Sequence, residues 1–204
     1  MIGLSQAGGI WTLRISRPEK ANSLTREMLG QIDGLVMRAV NKGARALVLT
    51  GAGKVFSAGA DLDEARAGLA TDGIWEQLSG HIAAAPCLTI AALNGTLAGG
   101  AFGMALACDL RLAVPGAKFF YPVMKLGFLP QPSDPARLAA LVGPARAKMI
   151  LMAGQKIGAE AALDWGLIDR IVEPEALAET AATLAADACA ARADLAGAIK
   201  RLIG

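Results

Sequence analysis

The chain is poor in the residues from which metal sites, disulfide frameworks and nucleic-acid surfaces are built. It has one histidine, His81, and three cysteines, Cys87, Cys108 and Cys189. No Cys-x-x-Cys spacing occurs, so zinc ligation has little to work with and no metal is expected. An odd number of cysteines set among apolar residues reads as buried free thiols in a reducing compartment. Aromatic residues are only 4% of the chain, too few for a base-stacking platform. Twenty basic residues against 18 acidic ones leave a net charge of +2, and no Lys/Arg cluster gathers phosphates. Nucleic acid is excluded as a partner on these grounds. The opening residues Met1-Ile2-Gly3-Leu4-Ser5-Gln6 lack a basic start and an apolar signal core, so a cytoplasmic location is expected. Residues 77–108 carry no formal charge, yet Pro86, Asn94-Gly95 and Gly99-Gly100 break the stretch. The apolar runs between them fall short of the ~20 residues that a membrane span needs. The stretch reads as the buried centre of the domain, and no membrane is expected.

What is present is an alternation of strands and single helices. Two hundred and four residues fit one domain, 1–204, with a sizeable core. Residues 10–15 alternate apolar and polar as a strand does, and Arg17-Pro18 turns the chain. From Leu24, apolar residues at Met28, Ile32, Leu35, Val36, Ala39 and Val40 share one helix face. Thr25 stands at the N-cap position and Gly43 just past the end. Residues 45–50 and 109–114 read as further strands. Residues 87–93 form a strand without clean alternation, one covered on both faces. Gly99-Gly100 opens an apolar helix running to about Cys108. Pro144 suits a helix first turn. Residues 135–204 are expected to be mainly helical, with Leu195, Ile199, Leu202 and Ile203 on one face. The pattern is α/β.

Two glycine-containing loops follow strands, where ligands of α/β folds tend to sit. The first is Phe56-Ser57-Ala58-Gly59-Ala60-Asp61-Leu62. Its small residues let a ligand approach the backbone; the plain alternative is a tight turn, with Asp61 capping the helix that starts at Leu62. In the second, Gly99-Gly100 stands at the first turn of a buried helix, where unpaired N–H groups and the positive dipole end face outward. The plain alternative there is close helix–sheet packing.

Together these segments form a known pattern. Asn22-Ser23-Leu24 after Arg17-Pro18, the loop Phe56 to Leu62, Asn94-Gly95 with Ala98-Gly99-Gly100, and Cys108-Asp109 resemble the crotonase family, the enoyl-CoA hydratase/isomerase superfamily. Lys125-Leu126-Gly127, Gly143-Pro144-Ala145-Arg146-Ala147 and the segment from Ala159 to Ile168 followed by Val172 continue the match in collinear order. The resemblance implies a crotonase-like (ClpP/crotonase) fold of repeated ββα units and an acyl-CoA thioester substrate. It implies an oxyanion hole built from two backbone N–H groups, which fall on Ala58 and Gly100. It also implies a CoA site along Lys20, Ala21, Ser23 and Leu24 and along Ser57, Ala60, Asp61 and Leu62. Lys20 and Lys54 are placed to meet CoA phosphates or, equally, to be plain solvated surface. No cofactor beyond the CoA of the substrate is implied. The assembly it implies is a homotrimer or a dimer of trimers, and the setting fatty acid metabolism.

The departures carry as much information. Hydratases of the family use two glutamates, and those positions fall on Gly103 and Val123. Adding water across a double bond needs a base for the water and an acid for the α-carbon, so the usual hydratase chemistry lacks its carriers. Gln131, Ser133 and Asp134 lie in a segment with Pro130, Pro132 and Pro135, expected to form a rigid loop on the acyl pocket. Asp134 is the best acid/base candidate, although capping of a helix beginning at Pro135 is the reading the sequence alone favours. Tyr121 is within reach of the pocket, or is a core tyrosine with a satisfied hydroxyl. His81 is expected to be structural. Family members continue beyond a segment like 196–204 with helices that cover the pocket, so a more open pocket, or one covered by a neighbouring subunit, is expected. Isomerisation, decarboxylation and thioester cleavage need fewer proton carriers than hydration does. A CoA-binding protein without catalysis is the alternative. A Clp-type serine peptidase is disfavoured, because Gly99-Gly100-Ala101 offers no serine at the helix start.

Overall fold

A computed structural model describes residues 1–203. The chain begins with an antiparallel hairpin, β1 (Ile2–Ala7) and β2 (Ile10–Ile15), whose first strand the sequence pattern did not disclose. Gly8 and Gly9, at φ 56° and 85°, make the two-residue turn that only left-handed backbone allows. Helix α1 (Arg26–Asn41) follows, capped by Thr25, whose hydroxyl accepts from the Met28 N–H at 3.1 Å. Gly43, at φ 71°, ends it as expected.

Strands β3 (Ala46–Gly51), β5 (Leu88–Leu93) and β7 (Leu110–Ala113) stack parallel onto β2, and β10 (Arg170–Ile171) completes a sheet ordered β1-β2-β3-β5-β7-β10. β3 and β5 are nearly continuous apolar runs, because helices cover both their faces. A second sheet, ordered β4-β6-β8-β9, holds β4 (Val55–Ser57), β6 (Thr96–Ala98), β8 (Lys118–Phe120) and β9 (Ile157–Gly158). β3, β5 and β7 each lead through a turn into a short strand of the second sheet (β4, β6 and β8) and then into a helix, the ββα repeat that the resemblance implies. The helices are α2 (Leu62–Arg66), α3 (Ile74–Ala84), α4 (Phe102–Leu106), α5 (Val123–Leu126) and α6 (Asp134–Val142). They are followed by α7 (Pro144–Leu151), α8 (Ala159–Asp164), α9 (Leu177–Ala190) and α10 (Leu195–Ile203).

The strand-to-strand turns are tight enough to specify their residues. At Gly95 a Cβ would stand 2.0 Å from the Lys54 carbonyl oxygen, so only glycine fits beneath that neighbouring loop. Asn94 beside it accepts from the Gly51 N–H at 2.8 Å and donates to the Gly53 and Val55 carbonyls. The Asn94-Gly95 pair therefore ties the two turns together. Helix α4 is shorter than the sequence pattern indicates, because a 3₁₀ turn, Gly99–Ala101, precedes it. Among the described residues no helix is long and apolar enough to cross a membrane.

Candidate active site

The site forms where the turns after β4 and β6 meet. Segment 21–24 runs beside the first loop and is bonded to it rung by rung. Ala58 donates to the Ala21 carbonyl (3.0 Å), Leu24 to Gly59 (2.8 Å) and Asp61 to Leu24 (2.8 Å). The buried Asn22 and Ser57 lock this pairing. Asn22 accepts from the Arg17 N–H and donates to the Ala52 and Val55 carbonyls, while the Ser57 hydroxyl donates to the Asn22 carbonyl at 2.8 Å and accepts from the Gly59 N–H. Ala21 and Asn22 adopt left-handed backbone, φ 51° and 53°, to make these contacts.

This pairing corrects one expectation. The Ala58 N–H is spent on Ala21 and is not an open donor. Gly59 and Asp61 are the residues that bond to Leu24, so Ala60 between them turns its own N–H the opposite way. No described residue accepts from it, nor from the Gly100 N–H in the first turn of the 3₁₀ segment. The two segments are in contact: a Cβ on Gly59 would lie 3.4 Å from the Gly100 nitrogen. The pair of free amides therefore belongs to Ala60 and Gly100. Gly59, at φ 92°, rotates the chain between Ala58 and Ala60, and no pattern of residue types reveals which N–H that rotation leaves outward.

The other residues expected along the CoA site divide. Leu24 and Ser57 are fully buried and internally bonded, and Ser23 is buried beside Arg17. Asp61 caps α2 through the Asp63 N–H and pairs with Arg17 at 2.8 Å, and the Arg17 guanidinium holds its carboxyl below the ordinary carboxylate range. The capping alternative describes it well. Lys20, Lys54 and Leu62 are exposed, and Ala21 and Ala60 half-buried.

A cleft of about 210 Å³ opens in front of the free amides, lined among others by Ala60, Trp75, Gly100, Tyr121, Leu126 and Leu129. The Trp75 ring packs on Gly100, where a Cβ would come within 3.2 Å of it, and the indole N–H donates to the Leu69 carbonyl. Larger hollows lie elsewhere, about 560 Å³ between α9, α10 and the ends of β5 and β7, about 380 Å³ against the outer face of β2 and β3, and about 360 Å³ between α5, α6 and α7. None of the three includes the Ala60 and Gly100 amides, so the smaller cleft is the better site for chemistry on a polar oxygen.

Behind the cleft stands Asp134, only 1% exposed. Helix α6 begins at Asp134 with Ser133 as its N-cap, and the Asp134 side chain makes no cap bond. The capping reading is therefore overturned: the carboxyl turns inward. Its Oδ2 accepts from the Tyr121 hydroxyl at 2.9 Å, and its Oδ1 has no partner among the described residues. A Cβ on Gly103 would stand 2.9 Å from that Oδ1, so the aspartate fills the space a side chain at 103 would take. Burial lifts the Asp134 pKa to about 7, against the lowering influence of the Tyr121 hydrogen bond and of Arg137, with Glu76 adding to the rise. Burial and the Asp134 carboxylate together push the Tyr121 hydroxyl far above its ordinary value. The proline-rich loop is anchored to the α3 side by Gln131, which donates to the Ala70 carbonyl, and by Ser133, which donates to Glu76. Val123 is buried and apolar, and His81 lies outside the cleft, paired with Asp33 at 2.7 Å. Among the described residues no cluster of three or more His, Cys, Asp or Glu gathers to hold a metal.

Comparison with known proteins agrees with this architecture. The enoyl-CoA hydratase/isomerase family model matches residues 5–202. A probable enoyl-CoA hydratase of Mycobacterium tuberculosis is 37% identical over 172 residues, covering 84% of this chain and 70% of the relative. The 1,2-epoxyphenylacetyl-CoA isomerase of Escherichia coli is 34% identical over 187 residues, covering 87% and 71%. The solved structure of an enoyl-CoA hydratase from Bacillus anthracis superposes with a TM-score of 0.92 at 29% identity, covering 99% of this chain and 81% of that one. The fold, the two joined loops and these matches agree: the chain belongs to the enoyl-CoA hydratase/isomerase family, the crotonase superfamily.

Proposed function

We propose that the cleft binds an acyl-CoA thioester and stabilises its enolate, the carbonyl oxygen being held by the Ala60 and Gly100 amides. The single observation that carries this reading is the pair of unclaimed N–H groups on touching segments at the head of an otherwise apolar cleft. A developing oxyanion needs donors fixed in advance, and losing one such donor typically lowers the rate ~10²–10³-fold. The names of the relatives, a probable hydratase and an epoxyphenylacetyl-CoA isomerase among them, support CoA thioesters as the substrate class. The acyl chain would lie between Trp75 and Leu129, and the CoA would cross the exposed edge near Lys20 and Leu62. Action as a soluble cytoplasmic trimer in fatty acid metabolism is part of the same proposal.

The chemistry would be isomerisation or another enolate reaction rather than hydration, since Gly103 and Val123 supply no carboxylate. The test is calorimetric titration with acyl-CoA thioesters and with free CoA, alongside product analysis by mass spectrometry. Tighter binding of a thioester than of its reduced thioether, which lacks the carbonyl oxygen, is expected. Equal affinity for the two would remove the oxyanion role, and binding without any turnover would leave a CoA-binding protein.

A further inference from the structure

Tyr121 is the chain's one tyrosine, and it sits on the boundary between the cleft and a sealed carboxyl. Its ring stacks on Phe102 with centroids 5.5 Å apart, which fixes the hydroxyl in place. That hydroxyl donates to Asp134 Oδ2 and is approached by the Gln131 N–H, which leaves its oxygen one further lone pair to offer. Asp134 itself is sealed from solvent, with Oδ1 unpartnered. A folded protein rarely leaves a buried carboxyl oxygen without a partner, and where it does a functional explanation is the first to examine. An apolar residue at 134 would leave the buried Tyr121 hydroxyl without its acceptor, whereas the carboxyl satisfies that hydroxyl and keeps a place to put a proton. Gly103 is part of the same arrangement, because any larger residue there would collide with Asp134.

We propose that Tyr121 and Asp134 form a proton relay that is the cleft's only proton carrier, and that the site therefore moves a double bond along an enoyl-CoA instead of adding water. The inference rests on the thioester-binding reading above. A C–H bond at the carbon next to the thioester breaks, and its electron pair moves into the carbonyl to make the enolate. The proton passes to the Tyr121 oxygen as the Tyr121 hydroxyl proton passes to Asp134 Oδ2. The enolate then takes a proton back along the reverse path, at the carbon two further along the chain. Atoms and charge balance with no co-reactant, and Asp134 ends ionised as it began. Tyr121 is the catalytic residue and Asp134 the positioning residue that accepts through it. Hydration would need a second group to hold and deprotonate water, and Val123, at the position of the second glutamate, is apolar.

The groups facing Asp134 are Tyr121 on the cleft side, Arg137 on its own helix and Glu76 on α3. Since Asp134 must be ionised to accept a proton, exchange should rise as pH increases through about 7 and level off above it. The experiment is deuterium uptake from heavy water into a 3-enoyl-CoA and its saturated analogue. It is followed by mass spectrometry across pH, with calorimetric binding measured in parallel. The intact protein should incorporate deuterium and convert the 3-enoyl to the 2-enoyl thioester. Tyr121→Phe should lower exchange by ~10²-fold or more with binding unchanged. Asp134→Asn should abolish the inflection near pH 7, a readout that a merely structural role would not move. Unchanged exchange in Tyr121→Phe, a pH profile without the inflection in the intact protein, or a 3-hydroxyacyl product would overturn the relay. Binding without exchange would sink the relay alone, whereas no preference for thioester over thioether would sink the reading beneath it. The parent pH profile decides the question even if either variant fails to fold.

Discussion

The two corners of the site treat buried polar groups in opposite ways. Around the first loop, Asn22 and Ser57 are buried, and each uses both donor and acceptor capacity on backbone partners. Around the second, Asp134 is just as buried yet leaves one carboxyl oxygen unbonded. A saturated network holds shape, because any change leaves an orphaned group. An unsaturated one is poised to bind or carry a proton. The contrast separates the scaffold of the cleft from its chemistry, and substitutions in the two corners should behave differently.

The largest effect is expected at the scaffold. Gly95→Ala places a methyl 2.0 Å from the Lys54 carbonyl oxygen and should destabilise the fold by more than ~4 kcal/mol, read as loss of a cooperative melting transition. Asn22→Ala would orphan the Arg17 N–H and the Ala52 and Val55 carbonyls and should lose ~3 kcal/mol in urea unfolding, with any residual activity falling in step with the folded fraction. A stable Asn22→Ala protein with lost thioester binding would move Asn22 from the scaffold into the site.

Asp134→Asn should do the reverse. A carboxyl with pKa raised from 3.8 to about 7 binds its proton more tightly folded than unfolded. Its contribution to stability is full below about pH 4 and fades as pH rises to about 7. The amide carries no charge to bury, so above pH 7 the variant should be more stable than the parent, on the order of 2 kcal/mol, while losing exchange. Calorimetric melting at pH 5 and pH 8 checks this, and an equal difference at both would count against a buried carboxyl. The smallest effect belongs to Arg17→Ala. It removes the partner that keeps the Asp61 pKa low, and should lower stability by ~1 kcal/mol at neutral pH. That difference should shrink as pH falls through the lowered Asp61 pKa, where the parent's carboxylate becomes protonated and only the guanidinium's bonds to Ser23 remain.

Much of this was legible in the sequence. The strands from Ile10, Ala46, Leu88 and Leu110 and the helix capped by Thr25 followed from period and cap chemistry. The hairpin strand β1 was not, since Gly3 and Ser5 weaken its alternation and it is completed by pairing with β2. At the site, the glycine-containing loops could be read directly, as could the absence of a carboxylate at Gly103 and Val123. The choice of Ala60 over Ala58 could not, nor could the inward turn of Asp134.

Local periodicity, caps and turn residues determine which segments become strand or helix, because those depend on neighbours a few positions away. By themselves they also determined that this chain has an α/β order and two glycine-containing loops that follow strands. Which amide faces outward depends on the rotation at Gly59 and on a partner thirty-odd residues earlier, at Ala21. Whether Asp134 caps or reaches inward depends on the empty volume above Gly103 and on Tyr121 waiting across it. Both were settled only when distant segments packed, since a hydrogen bond or a void between them exists in no single stretch of the chain.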